Sequence, residues 1–242
     1  MKQKRSTKAD AQRKTGPAGP GAEGLVGKLV AGRRPLVLLI GLVLLLYLRT
    51  LSFDLVGLDD AQLIQSENGP IHSFAAVLYS FTHSSYVDFY RPGLMLFFYL
   101  VRLAGGDSLA FYHFCCILLH ALACCLTWIV LVRLGVDRWL ALLLSAFLAV
   151  HPLISQAVAW IMGCNDSLLT ALVLGCFLFL MQAERVTHSG FLTAAALHLI
   201  LFAAALSVKE TAVVLPALFL LYWWLLQDRR PPLRNGLFIA GG

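Results

Sequence analysis

Apolar runs of bilayer length recur along this chain, and they restrict its fold more than any motif does. They lie at about residues 35–53, 110–132, 139–156, 167–183, 190–207 and 211–227, joined by short polar links. A run of roughly 20 apolar residues crosses the hydrocarbon core as a helix. A helix also pairs its own backbone amides, which lipid cannot do. Residues 236–242 read as the opening of another run. The chain is 59% hydrophobic and 13% charged, with a mean hydropathy of +0.78, which excludes a soluble domain. The prediction is an all-α polytopic membrane helix bundle of about six to seven spans. Neither a soluble domain nor an internal repeat is visible.

Charge is distributed unevenly. Nine of the 19 Lys and Arg residues fall within residues 1–34. Residues 1–24 hold almost no large apolar side chains and are expected to be disordered. A basic tail also suits nucleic acid, but in a membrane chain it reads as a retained cytoplasmic N-terminus. No nucleic-acid partner is expected. The domain reading is a basic tail over 1–34 and a transmembrane domain over 35–242, with a loop at 54–109. No cleavable signal is expected, because the polar start is long and no small-residue cleavage site follows the first run.

Inside that loop, Ile71, Phe74, Ala75, Leu78 and Phe81 recur at helical spacing after Gly69-Pro70. This predicts a short surface helix with Pro70 at its first position. The apolar stretch Gly93–Leu103 is too short to span and reads as interfacial or re-entrant. If it does not cross, fifteen Lys/Arg lie on the inner side and three on the outer: Arg91, Arg102 and Lys209. If it crosses, the split becomes eleven to seven. Basic residues favour the cytoplasmic side, so the non-crossing arrangement is preferred.

That arrangement puts Asp59-Asp60, Tyr90-Arg91, Asn165-Asp166 and Lys209-Glu210 on one outer face, with His151-Pro152 at the outer end of its span. Adjacent carboxylates at a membrane surface persist when a cation or a proton donor occupies the gap between them. Asp59 and Asp60 suit a general base and a metal ligand. Arg91 suits a phosphate, through paired donors, or a bridge to Asp88. Asp166 suits an N-cap for a helix beginning near Ser167. Lys209 and Glu210 suit mutual neutralisation, or a lysine facing a lipid phosphate. His113 and His120, seven apart on one helix face, read as packing or hydrogen-bonded residues rather than metal ligands.

The six cysteines form no CxxC spacing. Five lie in apolar runs and read as small packing residues, and Cys164 lies in a connecting loop.

Taken in order, these pieces resemble the N-terminal half of GT-C class membrane glycosyltransferases. The closest likeness is to transmembrane O-mannosyltransferase-like proteins that often carry tetratricopeptide repeats, and to their bacterial relatives. The matching pieces are Leu58-Asp59-Asp60, Tyr90-Arg91-Pro92, Tyr112-His113, His120-Ala121, His151-Pro152, Ala157 through Gly163 with Asp166, and Ser207 with Lys209-Glu210-Thr211 and Pro216. They cover about residues 50–225. The resemblance implies a catalytic acid in the first outer loop and a lipid-phosphate sugar donor. Asp59, Asp60 and Asp166 become the catalytic candidates. Arg91, Lys209 and Tyr90 become the donor-phosphate candidates, with His151, Glu210 and Asn165 in support. A divalent Mg or Mn ion would sit on Asp60 and Asp166.

The implied partners are the lipid-linked sugar, the bilayer and an acceptor protein or glycan. The active face is periplasmic or extracellular, with a bacterial inner membrane favoured, or lumenal in an endoplasmic reticulum. Two departures stand out. Cys164 occupies a position where the family commonly has Arg, and the family continues through further spans beyond the point reached by Gly242. The alternatives are a transporter or flippase of a lipid phosphate or anion, and a non-catalytic assembly subunit.

Overall fold

A computed structural model of the chain describes residues 20–56, 59–66, 69–84, 89–183 and 188–226. Helix α1 (Pro20–Leu29) precedes α2 (Arg34–Tyr47), which runs on into a 3₁₀ turn, Leu48–Ser52. The loop that follows carries α3 (Asp60–Ile64), α4 (Phe74–Tyr79) and α5 (Pro92–Gly105). Then come α6 (Leu109–Arg133), α7 (Arg138–Val150), α8 (Gln156–Ala159), α9 (Asn165–Ala183), α10 (His188–Val208) and α11 (Leu215–Leu226). The described residues are helical throughout their regular elements, as the apolar runs predict. The expected disorder of residues 1–24 falls mostly outside them, but residues 20–24 open α1.

Among the described residues, four helices are long and apolar enough to cross a membrane: Arg34–Ser52, Leu109–Arg133, Met162–Ala183 and Gly190–Val208. A fifth crossing exists if Arg138–Val150 and Pro152–Ala159, bent by 55°, form one broken span. The remaining expected spans fall on the shorter apolar helix Glu210–Leu225 and on residues 236–242, which lie outside the described residues. The break in the 139–156 run has a local cause. Proline restricts the residue before it to extended backbone, and His151 is extended at φ −66°, ψ 122°. Its Nδ1 then accepts the Leu153 amide at 3.2 Å and starts a short 3₁₀ turn.

Packing sets the helices antiparallel. Leu39 of α2 packs with Cys125, Trp128 and Ala141, deep along α6 and near the start of α7. Further along, Tyr47 meets His120 edge-on at 5.5 Å and donates to the Ala149 carbonyl at 3.1 Å. Phe53, past the end of α2, meets His113 near the start of α6 at 6.2 Å. The chain therefore leaves α2 and enters α6 at the same end of the bundle, here called the loop end. Helix α9 also starts there, since Ser167 approaches His120 at 3.4 Å.

Helix α5 lies across the loop end. A Cβ on Gly93 would strike Ser207, at the end of α10, and one on Gly105 would strike Phe111, at the start of α6. Both contacts are at the loop end, so α5 bridges the end of α10 and the start of α6 there.

Two local expectations need correction. Pro70 does not open α4. Ile71 is fully buried in the core with Leu63 and Ile64, and Ser73 Oγ caps the helix by accepting the Ala76 amide at 3.1 Å. A side-chain cap satisfies an otherwise unpaired amide, which proline placement cannot do. Cys164 is not in an open loop. It is fully buried in a 3₁₀ turn, Met162–Cys164, that runs into α9.

Candidate functional site at the loop end of the bundle

Asp60 is the first residue of α3 and is fully buried. One carboxylate oxygen accepts the Met162 amide at 3.0 Å and the other accepts the Val56 amide at 3.3 Å. The first of these bonds spans 102 residues and fixes the loop to the segment that becomes α9. Burial pushes the carboxyl above the ordinary aspartate value, while the Met162, Val56 and Ile161 amides and nearby His113 pull the other way. Desolvation wins because a buried charge is costly even when its oxygens are bonded. Asp59 sits just before α3 and is half-buried, so the adjacent pair faces two environments. Leu58 lies outside the described residues.

Arg91 does not need Asp88, which lies outside the described residues. Its Nε and an Nη donate to the two oxygens of Glu210 at 3.4 and 3.3 Å, across 119 residues. Its guanidinium also sits 4.4 Å above the centre of the Phe89 ring. Gly93 makes this reach possible, because without a side chain it lets α5 approach Ser207 closely. Tyr90 turns away, and its hydroxyl donates to the Phe81 carbonyl at 2.8 Å.

Lys209 and Glu210 each form an ion pair with a distant residue. Lys209 is the one extended residue between α10 and the 3₁₀ turn Glu210–Val214, at φ −156°, ψ 138°. Successive side chains of extended backbone point to opposite sides. Glu210 accordingly faces Arg91, and Lys209 pairs with Asp166 of α9. Asp166 is not the cap expected of it. Helix α9 begins one residue earlier at Asn165, and Asp166 stands in the first turn, where an acid meets the positive end of the helix. Asn165 itself is buried.

The loop end thus gathers a row of four charges from three distant segments, ordered Arg91, Glu210, Lys209, Asp166. One turn before Asp166, the same segment donates its Met162 amide to Asp60. His151 stands apart, in an edge-on contact with Phe147 at 5.0 Å, and serves its own turn. Of the expected metal pair, Asp60 holds two backbone amides and Asp166 gives one oxygen, Oδ1, to Lys209. No group of three His, Cys, Asp or Glu side chains gathers among the described residues.

Two further features stand out in the structure. A cleft of about 580 Å³ opens beside α3, rimmed by Gln65, His72, Arg102 and Asp107. Arg102 grips Asp107 at 2.9 and 3.3 Å across the Gly105-Gly106 corner. The second feature is polar and buried. Both ring nitrogens of His113, the Tyr112 hydroxyl and the Trp160 indole N–H have no hydrogen-bond partner. His113 faces the backbones of Phe53 and Val158 and the carboxylate of Asp60. Tyr112, His113 and Trp160 all fall in pieces that carry the resemblance, but their lack of partners has no local signal, because each occurs inside an apolar run.

Comparison with models of known protein families, with curated proteins and with solved structures gives no match.

Proposed function

We propose that the chain is, or forms the N-terminal part of, an integral membrane glycosyltransferase. It transfers a sugar from a lipid-phosphate donor to an acceptor hydroxyl at the outer face. The observation that supports this reading is the convergence of Arg91, Lys209, Asp166 and Glu210 at the bundle end that also holds the Asp59-Asp60 helix. The uneven placement of Lys and Arg supports an outward-facing loop end.

In this reading a carboxylate takes the proton of the acceptor hydroxyl, and the oxygen attacks the anomeric carbon. The bond from that carbon to the phosphate oxygen breaks, and the lipid phosphate leaves with the electron pair. Arg91 and Lys209 offset the charge that grows on the leaving phosphate. Asp59 is the better base, since Asp60 is enclosed and its oxygens hold backbone amides.

The test is transfer of labelled sugar from a polyprenyl-phosphate donor in membranes carrying the full chain. Asp59→Asn and Arg91→Gln each lower the rate by about a hundredfold or more, the scale of a lost base or charge partner. Full transfer in both variants removes the enzyme reading. One observation favours a second reading, a non-catalytic assembly subunit: the row of charges is already paired within the chain. That reading expects no transfer by the unaltered protein and loss of stability when the pairs are cut.

A further inference from the structure

The two ion pairs of the loop end share an asymmetry. The Arg91 side chain is 16% exposed and its partner Glu210 is 54% exposed. The Lys209 side chain is 24% exposed and its partner Asp166 is 43% exposed. In each pair the cation lies inward and the carboxylate outward, on the side from which a solvent-borne or membrane-borne anion arrives. The Arg91–Glu210 bonds, at 3.3 and 3.4 Å, are also longer than the roughly 2.7–2.9 Å of a strong charge-assisted pair.

We propose that Glu210 and Asp166 are internal occupants of an anion subsite. Their carboxylates fill the positions that a phosphate group takes on Arg91 and Lys209, and they leave when it arrives. This rests on the phosphate-donor reading above and adds to it a resting state in which the chain blocks its own site.

Three features fit such an exchange. The Phe89 ring holds the Arg91 guanidinium in place from another direction, so Arg91 keeps its position when Glu210 departs. Lys209, as the one extended residue between two helical segments, is the joint at which Glu210 swings away without unwinding α10. Charge arithmetic favours the exchange as well. The row is neutral while both pairs are closed, so two cations become available only as the carboxylates withdraw. An exposed pair stabilises by little, and an anion that meets both cations at once replaces it readily.

The experiment uses the full chain in phosphatidylcholine nanodiscs, with farnesyl phosphate as the probe. Farnesol serves as the neutral control and inorganic phosphate as the lipid-free arm. Glu210→Gln and Asp166→Asn each bind farnesyl phosphate about two- to fivefold tighter than the unaltered chain, the scale of releasing an exposed pair. Arg91→Gln binds it more weakly, and farnesol shows no difference between variants. An equal gain with inorganic phosphate keeps the occupant role and assigns it to free phosphate. Unchanged or weaker binding in both carboxylate variants, with Arg91→Gln still impaired, overturns the occupant role and leaves the phosphate reading standing. Absence of binding in every form removes both. Two carboxylates are tested so that a folding defect in one variant, read by thermal unfolding, does not decide the result.

Discussion

Asp60 accepts the backbone amide of Met162 at 3.0 Å, and through that bond the first loop is tied to the start of α9. A carboxylate is the right group for this task, because both of its oxygens accept. Asn keeps one acceptor and turns an N–H₂ toward the second amide. Asp60→Asn should therefore lower stability by about 1–3 kcal/mol, the cost of one unsatisfied buried donor. Thermal unfolding in detergent measures it, and an unchanged melting temperature would show that the bond is not made.

The same carboxyl carries a pH signature. Its folded value is raised above the ordinary 3.8 by burial, so the folded state holds its proton longer than the unfolded state does. The Asp60 contribution is fully present below 3.8 and declines as pH rises through the raised folded value. The stability difference between the unaltered chain and Asp60→Asn should accordingly narrow as pH rises through that window. A difference that widens with pH would reverse the assignment.

Gly93 lets α5 lie against α10, and a Cβ there would collide with the Ser207 side chain. Gly93→Ala should cost about 1–3 kcal/mol through overpacking. Ser207→Gly on that background should restore part of the loss, since it removes the colliding atoms. Equal loss in the single and double variants would place the defect elsewhere.

His113 is fully enclosed with both ring nitrogens unpartnered. Replacing such a group by an apolar side chain of similar size removes a desolvation cost. His113→Leu should raise stability by about 1–3 kcal/mol. Loss of stability would mean that the imidazole is bonded in the folded protein.

The Arg91–Glu210 pair is partly exposed, so its coupling should be modest. A double-mutant cycle with Arg91→Gln and Glu210→Gln should give about 0.2–1 kcal/mol, shrinking as salt is added. A coupling near zero at low salt would mean that the two side chains do not meet.

Much of the architecture is written in the local pattern, and much of the site is not. Apolar period and run length announce the helices, and the stretch after Pro92 is legible as an apolar helix shorter than the long ones. Hydropathy also passes straight through His151-Pro152, although proline breaks the backbone there and the two helices meet at a bend of 55°. The charge pairings are invisible locally. Lys209 and Glu210 stand side by side and look self-neutralising, yet an extended backbone at Lys209 turns them apart, toward partners 43 and 119 residues away. Asp60 reads as a surface acid because it neighbours Asp59. Its burial depends on where Met162 lies in three dimensions, which no local spacing carries.

The central claim is that Arg91 and Asp166 meet the Lys209-Glu210 joint at one end of the bundle. It is tested most directly by paired cysteines, Asp166→Cys with Lys209→Cys and Arg91→Cys with Glu210→Cys. Each pair is treated in membranes with a short bifunctional thiol cross-linker, and a protease site is introduced at residues 184–187. After cleavage, the two fragments should stay joined in both pairs and separate in a control pair, Arg133→Cys with Lys209→Cys, all on a chain whose six native cysteines are replaced by Ala. Fragments that separate in both test pairs while each single cysteine still reacts with the reagent would contradict the account.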